Sequence, residues 1–295
     1  AFHLDGAGQT LEYAYQDWAL AQLAIELGHA DDAAVLLGRS RNYRNLYDPQ
    51  TGYMRPRLVN GDWYTPFDPR DYRKGFVESN AAQMTWFVPH DYAGLAELMG
   101  GSEILVARLD QAFEEAGKQG FTSGNSHDDE AREQNRRIPI NYGNQPSIET
   151  AFIFNVAGAP ELTQKWSRAV VEAAYSGLGP HDGYSGDEDQ GLMGALAVLM
   201  KIGLFQLDGG VTANPVYQVG SPLFDRITIE LNPHYYPGHS FVIETRDNSG
   251  ANRYIQSLSL NGKPLSRYFL YHSEITSGGC LEIQMGPRPI LDSDK

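Results

Sequence analysis

The chain has 295 residues, with 23 lysines and arginines against 37 aspartates and glutamates, so its formal charge is −14 and its pI is near 4.9. This charge argues against binding to a nucleic-acid backbone or an anionic membrane, because both need basic patches. No apolar run is long enough to predict a membrane span, and a single cysteine, Cys280, excludes an internal disulfide. The first residues contain no signal peptide and run directly into a helical pattern, so we expect a piece of a longer protein.

The N-terminal two thirds of the chain predict helices joined by loops. Over residues 10–28, apolar side chains recur at steps of three and four and so share one helical face: Leu11, Tyr15, Trp18, Ala21 and Ile25. Gly28 predicts the end of this helix, and Asp31 or Asp32 predicts the cap of a second helix that runs to about Tyr47. A turn is predicted at 48–52.

Further helices are predicted from the same periodicity, with no alternation of strand and helix. They cover 78–87, 91–99, 102–117, 146–157, 160–176 and 189–204. The polar segment 120–137 has no periodicity and predicts a surface loop rather than a site.

The pattern changes near residue 206 to short β-branched and aromatic runs. These runs predict strands at 216–219, 226–231, 240–245, 254–260 and 281–285. Asn261-Gly262 predicts a hairpin turn. The fold class is therefore α+β and mostly helical, with a helical body over 1–205 and an antiparallel β segment over 206–295.

Three polar loops are candidates for the chemistry, and each has a structural alternative. Glu78 precedes an apolar and aromatic stretch that would desolvate its carboxyl group and keep it protonated, as a general acid requires, although it could also simply complement a helix start. The loop 141–148 offers amides and a hydroxyl for a hard cation or a sugar, or it could cap a helix. Asp187, Glu188 and Asp189 could hold a metal ion or supply a base, or form a solvated turn.

Other chemistries have little support in the sequence. Phosphate-binding glycine loops, zinc-type histidine or cysteine pairs and the Gly-x-Ser-x-Gly elbow are all absent. His90 is the one histidine inside a notable motif, and a structural role is the simpler interpretation. Two carboxylate centres together with oxygen ligands are typical of glycoside hydrolysis assisted by a cation such as calcium.

The loops also carry a resemblance to a known family. The chain resembles the second half of glycoside hydrolase family 92, the calcium-dependent exo-acting α-mannosidases. The resemblance rests on motifs in order along the chain: TLEYAYQDW (10–18), RSRNY (39–43), GYMRPR (52–57), TPFDP (65–69), WFVPHD (86–91), GDEDQG (186–191), GSPLFD (220–225), NGKP (261–264) and MGPRP (285–289).

The resemblance implies the second part of an (α/α)6 barrel followed by β structure. The family's N-terminal β-sandwich and first barrel helices are not represented in this sequence, so we expect them on the same precursor or on another chain. It also implies a secreted or periplasmic enzyme that hydrolyses terminal α-mannosides of N-glycans or mannans, with Ca²⁺ as cofactor.

The resemblance assigns roles to the three loops. Glu78 matches the general acid, and Asp187 and Asp189 match the acidic pair that activates water, which implies inversion in one step. Asn80, Gln145 and Glu188 are expected to contact substrate. Asn144 and Gln145 are expected near the calcium.

Two departures from the family pattern bear on specificity. The common EGNAWQY is ESNAAQM here, so that Ala82 replaces an aromatic residue. The common GNEPSHH is GNQPSIE, so that Gln145 replaces a glutamate associated with α-1,2 linkages. We therefore expect a linkage other than ordinary α-1,2. The alternatives are a relative acting on another α-linked sugar or a mannosyl phosphodiester, and a carbohydrate-binding protein without activity.

Overall fold

A computed structural model describes residues 4–124, 127–130, 132–179, 183 and 190–290. Its α-helices are α1 (Gly6–Glu26), α2 (Ala30–Arg39), α3 (Ala81–Met84), α4 (Tyr92–Met99), α5 (Ser102–Gly117), α6 (His127–Glu130), α7 (Glu133–Arg136), α8 (Thr150–Ala157), α9 (Pro160–Ala174), α10 (Leu192–Ile202) and α11 (His272–Thr276). Short 3₁₀ helices cover Ser40–Leu46 and Gln145–Ser147. No helix within the described residues has the length and apolar character needed to cross a membrane.

The strands form small sheets, mostly in the C-terminal third. They are β1 (Tyr47–Asp48), β2 (Tyr53–Met54), β3 (Leu204–Phe205), β4 (Val216–Val219), β5 (Arg226–Glu230), β6 (Ser240–Arg246), β7 (Tyr254–Leu260), β8 (Lys263–Leu265), β9 (Phe269–Tyr271) and β10 (Gly279–Gly286). The largest sheet has the order β5-β6-β10-β7-β8, and a second sheet has the order β3-β4-β9. The predicted α+β class is confirmed.

The first two helices follow their sequence signals in part. Leu11 and Ala21 are fully buried on the predicted face of α1, Tyr15 and Trp18 are partly buried, and Ile25 is exposed. The helix ends before Gly28, whose φ of +78° is the left-handed conformation that glycine adopts readily. Asp31 and Asp32 lie in the first turn of α2, where they complement the helix dipole, but His29 is the cap residue. The predicted helix to Tyr47 is wrong in its second half, which is 3₁₀.

The five-stranded sheet is not purely antiparallel. β6 pairs with β5 in the antiparallel sense, but β10 runs parallel to β6 and antiparallel to β7. A parallel pair requires a crossover connection, and the chain between β6 and β10 supplies it with β7, β8, β9 and α11. The prediction of antiparallel pairing is therefore wrong for this one pair.

The hairpin predicted from Asn261-Gly262 is confirmed. Leu260 pairs with Lys263 across a two-residue turn between β7 and β8. Both turn residues have positive φ, +52° for Asn261 and +76° for Gly262. This is the geometry of a type I′ turn, which matches the twist of the flanking strands.

The sheets enclose an apolar core contributed by alternating strand positions. Its buried members are Leu204, Val219, Phe241, Ile243, Ile255, Leu258, Leu270, Ile275, Leu281, Ile283 and Met285. Buried Arg168 of α9 donates hydrogen bonds to the hydroxyl of Ser221, the carbonyl of Pro222 and the side chain of Asn248. These contacts fasten α9 to the loops of the β structure.

The chain divides into two compact units. The first contains Ala1–Thr150, Ala173–Met193 and Val211–Ala213, and the second contains Ala151–Glu172, Gly194–Gly210 and Asn214–Lys295. The change from helices to strands falls where the sequence predicts it, after α10. The second unit contains helical segments as well as the β structure, and the predicted domain division at 205/206 stays a prediction.

Candidate active site

Glu78 lies on an exposed turn three residues before α3. The prediction that Glu78 begins a helix over 78–87 is wrong, because Asn80 is the cap residue and α3 ends at Met84. The backbone of Glu78 has φ of +46°, an uncommon conformation for a residue other than glycine. We had expected this side chain to pack against an apolar surface, but Glu78 is exposed.

The residues after Glu78 are held by a buried network of amides. The hydroxyl of Ser79 donates to Oε1 of Gln83 at 2.7 Å, and Oδ1 of Asn80 accepts from the backbone N–H of Gln83 at 3.0 Å. Nδ2 of Asn80 donates to the carbonyls of Arg136 and Ile138 at 2.9 and 3.2 Å. Asn80 is 0% exposed and therefore has a structural role, while its predicted contact with substrate stays a prediction.

The residues before Glu78 are also fixed. The carbonyl of Gly75 accepts a hydrogen bond of 2.9 Å from the backbone N–H of Gly8 on α1, and Phe76 is fully buried. Gly75 has φ of +95°, and a Cβ there would lie 2.3 Å from Cγ of Pro56. Only glycine fits this position, so the segment before Glu78 is held close to Pro56 and to α1.

The loop 141–148 is built around Asn141, which is buried. Its side-chain oxygen accepts hydrogen bonds from the backbone N–H groups of Ser123 and Gly143 at 3.1 and 3.0 Å. The backbone N–H of Asn141 donates to the hydroxyl of Ser147 at 2.9 Å. These contacts set the path of the chain into Asn144.

Asn144 links this loop to the turn of Glu78. Its Oδ1 accepts from the backbone N–H of Gln145 at 2.9 Å at the start of the 3₁₀ helix, so the helix-cap alternative is confirmed. Its Nδ2 donates to the backbone carbonyl of Glu78 at 2.7 Å. Gln145 itself is exposed. The structure thus brings Glu78, Asn144 and Gln145 into one place.

Glu149 is a buried acid whose environment sequence reasoning missed. It is 3% exposed, and burial is the main cause that raises its pKa from the ordinary 4.5 to about 8, with the charge of Glu12 adding to the shift. Its Oε1 and the hydroxyl of Tyr92 are buried without a hydrogen-bond partner. The apolar neighbours of Glu149 in sequence, Ile148 and Ala151, were the available signal. The raised pKa favours the protonated form of this carboxyl group.

His90 has a structural role, as the simpler interpretation proposed. Its Nε2 lies 3.0 Å from the carbonyl of Ser40, and its ring packs among those of Tyr15, Trp18 and Tyr43. Burial lowers the pKa of the imidazole. A neutral ring that donates from Nε2 satisfies the carbonyl of Ser40, while Nδ1 is buried without a hydrogen-bond partner.

The acidic loop lies outside the described residues. Asp187, Glu188 and Asp189 all fall there. The expected spacing of about 6.5–9.5 Å between the general acid and the base of an inverting enzyme therefore stays a prediction.

A comparison with protein-family models tests the expected family. Residues 3–287 match the model described as the glycosyl hydrolase family 92 catalytic domain. The chain belongs to family 92. The match covers both compact units, so a single family 92 domain includes the helical part and the β part of the chain.

Individual relatives agree with this membership of family 92. A curated protein of Arthroderma benhamiae, described as an uncharacterized secreted glycosidase, is 27% identical over 94% of this chain and 35% of its own length. A solved family 92 α-mannosidase of Bacteroides thetaiotaomicron is 32% identical, with a TM-score of 0.79 over 96% of this chain and 35% of its own. A family 92 inverting mannosidase of the same organism is 34% identical, with a TM-score of 0.80 over 96% and 37%. The chain thus spans about a third of the length of the relatives it matches.

The calcium expected for family 92 stays a prediction. Among the residues that the structure describes, no group of three or more histidine, cysteine or acidic side chains could hold a metal ion. The amide of Asn144 makes hydrogen bonds within the protein through both its oxygen and its nitrogen.

The family 92 departure at Ala82 falls at a buried position. Ala82 is 2% exposed and lines a cavity of about 70 Å³ together with Trp86, Arg108 and Ala112. A larger residue at this position would fill space between α3 and α5. The departure at Ala82 therefore lies at a buried position that borders this cavity.

Proposed function

We propose that this chain contributes the general acid, Glu78, to an inverting exo-α-mannosidase. The observation that carries the proposal is that Glu78 stands exposed on a turn fixed from both sides, at the position where family resemblance assigns the acid. The relatives described as α-mannosidase and inverting mannosidase, at 32% and 34% identity, support the same reaction.

The proposed reaction is a single displacement at the anomeric carbon. Water attacks this carbon and gives a proton to Asp187 or Asp189, while Glu78 gives its proton to the departing glycosidic oxygen. The bond from the anomeric carbon to that oxygen breaks as the bond to water forms. The products are β-mannose and the free hydroxyl of the remaining glycan, with no covalent intermediate on the protein.

The cofactor and the substrate belong to the proposal as well. Family resemblance supports Ca²⁺ as the cofactor. We propose terminal α-mannosides of N-glycans or mannans as substrates, with a linkage other than α-1,2, because Gln145 replaces the glutamate associated with that linkage. We also propose a secreted or periplasmic location, for which the description of the Arthroderma benhamiae relative as secreted gives support.

Mannose release from α-1,2-, α-1,3- and α-1,6-mannobiose by the complete enzyme tests this function. We expect release from one linkage other than α-1,2, loss of activity with EDTA and recovery with Ca²⁺. NMR spectra recorded in the first minutes should show β-mannose before mutarotation. Release of α-mannose would overturn inversion. No release from any of the three, with calcium present, would overturn the proposed activity.

A further inference from the structure

The backbone of Glu78 needs a contact that holds it in place. A non-glycine residue at φ of +46° is in a sparsely populated conformation that persists only when neighbouring contacts impose it. Phe76 and Ser79 are fully buried and fix the chain on either side, but Val77 and Glu78 are exposed. The peptide group between Glu78 and Ser79 sets the direction from which the acidic side chain leaves the backbone.

Asn144 contacts this peptide group directly. Its Nδ2 donates to the carbonyl of Glu78 at 2.7 Å, and its Oδ1 accepts from the N–H of Gln145 at 2.9 Å. If the amide were rotated by half a turn, its oxygen would face the carbonyl of Glu78 and its nitrogen would face the N–H of Gln145. Both contacts would be unfavourable, so the hydrogen-bond network sets the orientation of the amide. The side chain of Asn144 therefore donates to Glu78 through Nδ2 and accepts from its own loop through Oδ1.

The loop of Asn144 is rigid enough to act as a support. Gly143 and Ser147 on either side are buried, and Asn141 and its partners hold the path of the chain. The contact with Glu78 thus joins two well-anchored segments rather than two free side chains. A displacement of about 1 Å at a reacting group can cost about a hundredfold in rate.

We propose that Asn144 is a positioning residue for the general acid, acting through the backbone carbonyl of Glu78 rather than as a calcium ligand. The proposal rests on the proposed function of Glu78. It replaces the role that sequence resemblance suggested for Asn144 with one drawn from its observed contacts.

The substitution Asn144→Asp separates the two roles. Aspartate keeps the shape of asparagine and the acceptor for Gln145, but at neutral pH it cannot donate to the carbonyl of Glu78. If Asn144 were a calcium ligand, a carboxylate would bind the ion at least as well. Asn144→Ala removes both contacts and provides a second variant. Asn252→Asp is the matched control, because Nδ2 of Asn252 donates to the carbonyl of Asp247 at the same 2.7 Å in the loop between β6 and β7.

The test compares two substrates of the complete enzyme. The mannobiose that the wild type cleaves needs protonation of its leaving oxygen, whereas α-mannosyl fluoride needs little help from an acid. We expect Asn144→Asp to lower kcat on the mannobiose by about tenfold to a hundredfold, with KM and the calcium concentration for half-maximal activity unchanged. Hydrolysis of the fluoride should stay within about twofold of wild type, since a mispositioned acid affects the leaving group alone.

The outcomes separate the proposals. Equal losses on both substrates, a higher calcium requirement in Asn144→Ala, or full activity of Asn144→Asp would each overturn the positioning role while leaving Glu78 as the acid. A wild-type enzyme that cleaves neither substrate would overturn the proposed function, and the positioning role would fall with it. Asn252→Asp should match wild type in every measurement.

Discussion

The side chain of Asn144 donates a 2.7 Å hydrogen bond to the backbone carbonyl of Glu78, which lies 66 residues earlier in the chain. This contact joins two candidate motifs that lie far apart in the sequence. Both segments are anchored by buried groups of their own, Asn141 in one and Ser79 in the other. The candidate site is therefore a supported turn that presents one exposed carboxylate.

Glu78→Gln should abolish turnover of the mannobiose while sparing hydrolysis of α-mannosyl fluoride. Glutamine keeps the size of the side chain but has no proton to give to a leaving oxygen, and an acid of this kind contributes about a hundredfold to ten-thousandfold. Steady-state kinetics on the two substrates provide the measurement. Mannobiose hydrolysis at the wild-type rate would remove Glu78 from the acid role. Glu97→Gln is a useful control, because Glu97 is an exposed glutamate whose pairing with Arg44 lies on the surface of α4.

Replacing the base should slow both substrates alike, since attack by water is needed whichever group leaves. We expect either Asp187→Asn or Asp189→Asn to lower kcat on α-mannosyl fluoride by about a hundredfold or more, and the other variant to have a smaller effect. The fluoride-release rate of the two variants identifies the base. If neither variant changes it, the role passes to Glu188.

Asn80→Ala should destabilise the chain by about 2–4 kcal/mol. The substitution removes a helix cap, which is worth about 1 kcal/mol, and leaves the buried carbonyl of Ile138 with one partner fewer, which adds a desolvation cost. Chemical denaturation measures the change in the free energy of unfolding. Asn60→Ala, at an exposed site, should change it by less than about 0.5 kcal/mol. A comparable loss in both variants would contradict the structural role of Asn80.

Glu149 should make stability depend on pH. Because its pKa is about 8 in the folded chain and its ordinary value is 4.5, the folded state holds a proton between these values that the unfolded state releases. The contribution of this group to stability is therefore fully present below pH 4.5 and is lost as the pH rises towards 8. The slope is at most about 1.4 kcal/mol per pH unit.

Glu149→Gln provides the comparison, since glutamine is neutral at every pH. The free energy of unfolding of the wild type minus that of Glu149→Gln should fall steadily from pH 5 to pH 8, as measured by denaturant titration. Glu103→Gln, at an exposed glutamate of α5, controls for the loss of one negative charge. A pH-independent difference for Glu149→Gln would show that the buried carboxyl group is not protonated in the folded state.

The amino-acid sequence by itself determined the features that depend on neighbouring residues. The apolar face of α1, the end of that helix before Gly28, and the two-residue turn at Asn261 and Gly262 follow from local periodicity and backbone preference. The strand limits at Tyr254–Leu260 follow for the same reason. Family membership and the position of Glu78 were also accessible, because ordered motifs persist in the sequence itself.

Only the tertiary structure decided the features that depend on distant partners. Helix α3 begins at Ala81 rather than at Glu78 because Asn80 finds its partners in Arg136 and Ile138. The parallel pairing of β10 with β6 and the raised pKa of Glu149 likewise depend on which groups the fold brings together. Hydrogen-bond partners and burial are properties of three-dimensional neighbours. For that reason the contact of Asn144 with Glu78, which carries the new inference, could not be predicted from either motif alone.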